Sequence, residues 1–145
     1  MRFWDTSALV PLFIQERQTD LVRGYLAEDD TVIVWTLARI EFLSAVARRR
    51  RTAPASKRGL RAARGRFIET WPQWNEVVAV QEVRRVAERL IEVHPLRAAD
   101  ALQLGAALVA AEDDPSSLGL VTLDAALAEA AELEGFTVYG GPEGR

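Results

Sequence analysis

The alternation of strand-length apolar runs with longer helical segments constrains the fold of this chain more than any other feature. Short runs rich in β-branched and aromatic residues recur along the 145 residues, and segments with helical periodicity separate them. Strands that alternate with helices are typical of parallel sheets, because each crossover helix returns the chain to the edge where the next strand begins. The sequence therefore predicts an α/β fold with a mostly parallel twisted sheet of four to five strands and helices on both faces. The expected strands are 2–5, 31–35, 76–80, 118–123 and 136–140.

The helical segments carry start and stop signals, and all elements are expected to form a single domain over 1–145. Thr36 is a favoured N-cap residue, and Pro54 is expected to stop the helix that follows it. Asp124 is a second candidate cap, and Gly135 suits the end of the same helix. The segment 97–112 is apolar nearly all round, so we expect it to be buried. The expected helices are Ser7 to about Phe13, 17–28, 36–50, 56–70, 81–93, 97–112 and 124–135.

The residue types that are missing exclude several kinds of chemistry. The sequence has no cysteine and one histidine, His94, which excludes thiol nucleophiles, cysteine zinc sites and histidine-rich metal centres. It also lacks the glycine-rich nucleotide loops and the G-x-S-x-G elbow. An enzyme with this composition depends on carboxylates. No apolar run reaches the roughly 18 residues of a membrane span, so a cytoplasmic protein is expected.

Four acidic residues occupy positions that this topology brings toward one edge of the sheet. Asp5 follows the first strand inside an otherwise apolar stretch, and Asp124 follows the fourth strand. Glu41 lies about one turn into the helix after the second strand, and Asp100 lies in the first turn of its helix. Ligands of open α/β sheets bind outside the carboxyl ends of the strands, so one crevice can contain all four acids. Clustered carboxylates need a compensating cation, and oxygen ligands suit Mg²⁺ or Mn²⁺.

A non-catalytic interpretation explains the same acids as structural groups. Asp5 and Asp124 each precede a predicted helix, where aspartate is a favoured N-cap. Asp100 has Arg97 three residues before it as an ion-pair partner, and Glu41 is then a solvated or Arg-paired residue in mid-helix. Under this interpretation the chain is an α/β protein that binds nucleic acid or a partner protein without activity.

A basic tract lies between the second and third predicted strands. Nine cations and no acid occur from Arg48 to Arg66. Taken alone, such a run is usually a solvated helix face. Beside an acid cluster it is better explained as a surface that contacts either nucleic-acid phosphates or an acidic segment of a partner protein, and the sequence leaves these two open. The candidate contact residues are Arg48, Arg49, Arg50, Arg51, Lys57 and Arg58.

Four segments of the chain resemble the acidic motifs of a known family. They are FWDTSALV, ARIEFLSAVAR, LRAADALQLGAAL and LVTLDAALAEAAELEGFTVY, and their order and approximate spacing extend the resemblance over essentially the whole chain. The motifs resemble those of PIN-domain ribonucleases, specifically the toxin half of VapBC-type toxin–antitoxin pairs. Gly105 departs from the motif, in which Ala is commoner, and glycine slightly weakens a helix.

The resemblance implies a PIN-like parallel fold and RNA cleavage that depends on Mg²⁺ or Mn²⁺. The metal-site acids that it implies are Asp5, Glu41 and Asp100, with Asp124 as a supporting fourth. The motif hydroxyl groups that it places near these acids or a water on the metal are those of Thr6, Ser7 and Thr122. It also implies a homodimer and a cognate antitoxin that covers the site. The candidate dimer surface is the apolar face of the helices between Val32 and Phe67.

Overall fold

A five-stranded sheet forms the centre of the computed structural model, which describes residues 1–53 and 56–141. The strands are β1 (Arg2–Trp4), β2 (Val32–Trp35), β3 (Asn75–Val77), β4 (Gly119–Thr122) and β5 (Thr137–Gly140). They lie in the order β3-β2-β1-β4-β5, and every neighbouring pair is parallel. In this register Phe3 lies between Ile33 and Leu120. The α/β prediction is confirmed, and the sheet is entirely parallel.

Helices connect the strands and cover both faces of the sheet. Those of the described residues are α1 (Thr6–Phe13), α2 (Thr19–Glu28), α3 (Ala38–Thr52), α4 (Lys57–Thr70), α5 (Val80–Val93), α6 (Ala98–Ala110) and α7 (Ala125–Leu133). α1 packs against α2, α3 and α4, whereas α6 packs against α5 and α7. Because parallel crossovers are right-handed, α1 to α4 cover one face and α5 to α7 cover the other.

The strands at the centre of the sheet are fully buried, as expected for a sheet covered on two sides. Every residue of β1 and β2 is buried. Aromatic rings fill the space between α1, α3 and α4, where Phe42 stacks on Phe67 with ring centroids 3.7 Å apart and Phe13 meets both edge-on. These contacts fix α1 relative to α3, and both helices carry predicted site residues.

The start of α3 differs from the prediction. Thr36 is not the N-cap, because the helix begins two residues later at Ala38 and no side chain caps it. The N–H group of Thr36 instead donates to the carbonyl oxygen of Val77 (3.1 Å), which extends the pairing of β2 with β3. α3 ends at Thr52, and Pro54, which was expected to end it, lies outside the described residues.

Three further boundaries or environments differ from the prediction. β3 ends at Val77 rather than at residue 80, because the chain already enters α5 at Val80. α2 begins at Thr19, whose buried hydroxyl group accepts from the N–H of Glu16 (2.8 Å) and donates to a carbonyl oxygen of α1. α6 is buried in its middle, whereas its first turn around Ala98 is exposed. Within the described residues, no helix combines the length and apolar character needed to cross a lipid bilayer.

Candidate active site

The carboxyl ends of β1 and β4 lie side by side at the point where the chain order of the sheet reverses. From β1 the chain continues to β2 on one side, and from β4 it continues to β5 on the other. The loops diverge there and leave a crevice, which is the usual ligand position in open α/β sheets. Asp5 directly follows β1, and Asp124 lies two residues after β4. The topology therefore places two of the predicted acids at this switch point.

Asp5 is buried at the end of β1, with 4% of its surface exposed. Its Oδ2 accepts from the hydroxyl group and the N–H of Ser7 (3.2 Å for the N–H) and from the hydroxyl group of Thr122 (2.9 Å). Burial raises the pKa of the Asp5 carboxyl group, while these hydrogen bonds oppose the rise. The predicted N-cap role is confirmed. Among the described residues, none donates to the other oxygen, Oδ1, so Asp5 keeps an oxygen for a ligand.

Two hydroxyl groups join the ends of β1 and β4 around this carboxyl group. Those of Ser7 and Thr122 lie 3.2 Å apart. Ser7 Oγ accepts from the N–H of Leu123 (2.9 Å), and Thr122 Oγ1 accepts from the N–H of Asp124 (3.1 Å). Asp124 Oδ1 accepts from a backbone N–H of α7 (2.8 Å), so its predicted N-cap role is confirmed as well. The β4 loop is thereby attached to the residue that follows β1.

Glu41 on α3 is linked to α1 and α6 through the amide of Gln103. Gln103 is 1% exposed, and its Nε2 donates to Thr6 Oγ1 (2.9 Å) and to Glu41 Oε1 (3.3 Å). Burial, with additions from the carboxylates of Asp5 and Asp100, raises the pKa of Glu41 to about 7. Sequence reasoning missed Gln103. Its one sequence signal is a position three residues after Asp100, on the same helix face.

Asp100 lies half-buried in the first turn of α6. The predicted ion pair with Arg97 is present, with Arg97 Nε 3.8 Å from Asp100 Oδ2. The side chain of Arg97 is 88% exposed, and a long contact to so exposed a cation contributes little. Burial and the nearby charge of Asp124 raise the pKa of Asp100 despite the opposing effect of Arg97. The ion pair therefore leaves most of the negative charge of Asp100 uncompensated.

Each of the four acids interacts electrostatically with at least one of the others. The charge of Asp100 raises the pKa of Asp5, and the charges of both raise the pKa of Glu41. The charge of Asp124 raises the pKa of Asp100. In the part of the chain that the structure describes, the contact between Arg97 and Asp100 is the one ion pair made by this group. Their arrangement concentrates negative charge at the crevice, and a bound cation would stabilise it.

The carboxylates do not form a complete metal cage. Across residues 1–53 and 56–141, no three side chains of His, Cys, Asp or Glu are arranged so that they could hold a metal ion. Mg²⁺ needs fewer protein ligands than that, because it binds through one or two carboxylates and keeps waters or substrate phosphates as its other ligands. The donors here are all oxygens, and one oxygen of the buried Asp5 has no hydrogen-bond donor among the described residues. These residues fit an ion that is held by few carboxylates and shared with a substrate.

Two depressions lie along α3, and only the first of them reaches one of the four acids. The first, of about 540 Å³, is lined by Glu41 near its start and by Arg48 and Arg49 further along, and Arg49 is paired with Glu16. Thr6 and Ser7 of α1 also line it. The second, of about 350 Å³, lies between the end of α3 and the start of α4. Its lining residues are Ala47, Arg50, Arg51, Lys57 and Arg61, whereas Arg58 lines neither depression.

His94 has a structural role in the fold. It is buried, and its Nε2 lies 2.7 Å from Oε1 of Glu134. Arg89 donates to both oxygens of the same carboxylate (3.1 and 2.8 Å), and this contact lowers the pKa of Glu134. The three side chains attach the end of α5 to the end of α7, and no hydrogen bond or ion pair links His94 to the four acids in the described part of the chain.

The fold and the crevice agree with a known family. The family model of the PIN domain matches residues 2–133, so the chain belongs to the PIN domain family. PIN domains are generally nucleases, which indicates nuclease activity and nucleic-acid binding. The crystal structure of PAE2754 from Pyrobaculum aerophilum is similar in fold, with a TM-score of 0.54 and 24% identity over 89% of this chain and 78% of that chain. No curated protein matches the sequence.

Proposed function

We propose that the protein is a ribonuclease that hydrolyses phosphodiester bonds of RNA with Mg²⁺ or Mn²⁺. The observation that carries this proposal is the group of four carboxyl groups at the switch point, three of which have pKa values raised by burial and by one another. Caps and ion pairs account for part of their surroundings but leave their charges largely uncompensated. A divalent cation together with an RNA phosphate supplies the missing interaction.

The chain's own contribution to this reaction is to hold oxygen ligands in fixed positions. The residues proposed to hold the metal, directly or through water, are Asp5, Glu41 and Asp100, with Asp124 in support. When bound, the metal supplies an activated water and neutralises charge that develops at phosphorus. The hydroxyl groups of Ser7 and Thr122 orient the carboxyl group of Asp5. The side-chain amide of Gln103 orients Glu41 and also donates to Thr6. Such supporting contacts commonly set the affinity and activity of a metal site.

We further propose that the protein is the toxin of a toxin–antitoxin pair, as the resemblance of its four motifs suggests. It would then act in the cytoplasm as a single-domain PIN-like protein that forms a homodimer and is inhibited by a cognate antitoxin over the site. Leu37 and Ile40 are exposed apolar residues of the segment proposed as the dimer surface. A monomer in light scattering of the purified chain would contradict the dimer, and an antitoxin gene next to this one would support the pairing.

The first experiment is RNA cleavage by the purified chain in Mn²⁺ and in EDTA, beside the variants Asp5→Asn and Asp100→Asn. Both substitutions keep the shape of the side chain and remove its charge. We expect cleavage in Mn²⁺ only, and a loss of more than about 100-fold in each variant because a proposed metal ligand is neutralised. Asp30→Asn, in an exposed turn, is the matched control and should cleave like the wild type.

Two results would count against this function. Equal cleavage by the wild type and both variants would point to a contaminating nuclease. Absence of cleavage, together with no stabilisation by Mn²⁺, would favour the non-catalytic binding protein. That alternative retains one specific observation in its favour, because Asp5 and Asp124 do cap helices.

A further inference from the structure

We propose that Glu16 competes with the substrate for Arg49 and so weakens the binding of RNA beside the candidate active site. The two side chains form an ion pair, and both line the depression that Glu41 also lines. A backbone phosphate of RNA therefore reaches Arg49 only when it displaces the carboxylate of Glu16. The inference rests on the proposed ribonuclease function and adds to the same site an inhibitory contact that is built into the chain.

The ion pair lies at the far end of this depression from Glu41. Other residues of α3 that line the depression share the helix face of Glu41, and they are Ser44, Ala45, Arg48 and Arg49. At 1.5 Å per residue, Arg49 is about 12 Å from Glu41 along the helix axis. The other wall is formed by α1, and Glu16 belongs to the loop that follows α1. The ion pair therefore connects the two walls of the depression.

The backbone of Glu16 is held in place by the side chain of Thr19. The buried hydroxyl group of Thr19 accepts from the N–H of Glu16 (2.8 Å) and donates to the carbonyl oxygen of Pro11 (2.9 Å). The side chains of Glu16 and Arg49 are 28% and 38% exposed, so solvent screens their attraction less than that of a fully exposed pair. These contacts place the carboxylate of Glu16 beside Arg49 before any substrate binds.

A carboxylate and a phosphate bind to the same donors of an arginine side chain, so Glu16 and an RNA phosphate compete for Arg49. Arg48 lines the same depression and forms no ion pair with the described residues. In the free protein the depression therefore offers one uncompensated arginine, although two arginines line it. A displaced Glu16 also leaves a negative charge near the phosphate that replaces it, and the two repel each other.

A purely structural role for the ion pair predicts a different response to its removal. If the pair only attaches the loop after α1 to α3, its loss should lower the free energy of unfolding and should not strengthen RNA binding. If Glu16 competes with RNA, its loss should strengthen RNA binding, because Arg49 becomes available to a phosphate. The direction of the change in affinity therefore separates the two roles.

The test measures binding in the Asp5→Asn background, so that it does not depend on cleavage. The Asp5→Asn protein is titrated into labelled single-stranded RNA of mixed sequence at a series of salt concentrations. The added substitution Glu16→Gln keeps the size of the side chain and removes its charge. It should strengthen binding several-fold and steepen the slope of log K against log salt by about 0.7, because one more phosphate contact with a single strand forms.

A double-mutant cycle with Arg49→Gln identifies the cause of this change. When Arg49 is already replaced, Glu16→Gln has no cation to release and should leave the slope unchanged. Only the smaller effect of removing one negative charge near the strand should remain. The matched control is Glu69→Gln, which removes a carboxylate from an exposed position of α4 that lines neither depression. It should leave both the affinity and the slope nearly unchanged.

Three results would overturn the proposal. The first is RNA binding by Glu16→Gln that is no tighter than that of its parent, and a lowered free energy of unfolding would then assign the ion pair a structural role. The second is an equal change of slope with and without Arg49. The third is absence of RNA binding by both the parent and Glu16→Gln. Cleavage by the wild type is assayed separately, so a ribonuclease without this competition is distinguishable from a protein that is no ribonuclease.

Discussion

Gln103 lies at the centre of the candidate site although its side chain carries no charge. Its Nε2 holds Thr6 and Glu41, whereas its buried Oε1 has no partner in the described part of the chain. Gln103→Met keeps the length of the side chain, removes the bond to Glu41 and removes the unpaired oxygen. We therefore expect the affinity for Mn²⁺ to fall about 10- to 100-fold, as for other groups that orient a metal ligand. Calorimetric titration with Mn²⁺ measures this change.

The matched control for this prediction is Leu104→Met, the next residue of α6, which is also fully buried. Exchanging Leu for Met conserves volume, so it should leave the affinity for Mn²⁺ unchanged. Urea unfolding of both variants separates a positioning effect from a loss of fold. An Mn²⁺ affinity of Gln103→Met equal to that of the control would show that Glu41 does not need this amide.

The positions of several site residues follow from the sequence, but their supporting contacts do not. Asp5 and Asp124 stand out because each acid follows an apolar strand, and the structure confirms that both cap helices. Gln103 carries no such signal, because its partners are 97 and 62 residues away in the chain. Only the packing of α6 on the sheet, at β2 and β3, brings those groups together, and residue spacing holds no information on that packing.

At the scale of elements, the packing of α5 against α6 depends on Gly105. A Cβ added there would lie 3.0 Å from the carbonyl oxygen of Val83 and 3.4 Å from the backbone nitrogen of Ala87. Backbone atoms of a packed helix cannot move aside as a flexible side chain can. The sequence suggested only that Gly105 weakens α6, and the structure gives it a positive role in the close approach of two helices.

Gly105→Ala is therefore expected to lower the free energy of unfolding, even though alanine is the better helix former. Gly65→Ala in α4 is the matched control, because an added Cβ there meets nothing within 4 Å. The free energy of unfolding of this control should rise by about 0.5–1 kcal/mol from helix propensity alone. Urea unfolding of both variants gives the two values. An equal rise in the free energy of unfolding of Gly105→Ala would show that α5 moves away from the added Cβ at little cost in stability.

Element types were predictable here, whereas several boundaries were not. Periodicity identifies α3, but propensity alone favours Thr36 as its cap. The N–H of Thr36 is taken by the carbonyl oxygen of Val77, and this sheet contact delays the helix to Ala38. A tertiary contact of this kind overrides a local preference, so the sequence places the element correctly and its first residue wrongly.

At the scale of the whole molecule, a small net charge conceals a separation of opposite charges. The net charge is −3, yet acids collect at the carboxyl edge of the sheet, while the end of α3 carries Arg50 and Arg51, which form no ion pair with the described residues. The sequence shows both groups, but their relative position depends on the strand order. Because β4 returns to the side of β1, the end of β4 and the loop that carries Asp124 come next to Asp5 and Ser7 from the first half of the chain. Sequence periodicity predicts parallel strands and does not determine that order.

The raised pKa values make the stability of the metal-free protein depend on pH. In the folded state the pKa of Glu41 is about 7 against an ordinary value of 4.5, so between these values the folded state binds a proton that the unfolded state has lost. The free energy of unfolding should therefore fall as pH rises through this window. The raised pKa values of Asp5 and Asp100 act in the same direction, whereas the lowered pKa of Glu134 acts below the window. Urea unfolding in EDTA at a series of pH values measures this dependence. The variant Glu41→Gln should show a smaller change in the free energy of unfolding with pH.

Mn²⁺ should reverse this loss of stability, because it binds the deprotonated carboxylates and competes with their protons. At a hundredfold excess over its Kd, a ligand of the folded state adds about 2.7 kcal/mol to the free energy of unfolding. The gain over EDTA should be small below the pH window and approach this value above it. Asp5→Asn should lose most of the gain, while the exposed Asp30→Asn should keep it. If Mn²⁺ raised the free energy of unfolding equally in both variants and at every pH, the ion would be bound elsewhere. If the free energy of unfolding of the wild type in EDTA rose with pH, the charges of the acids would be compensated without metal.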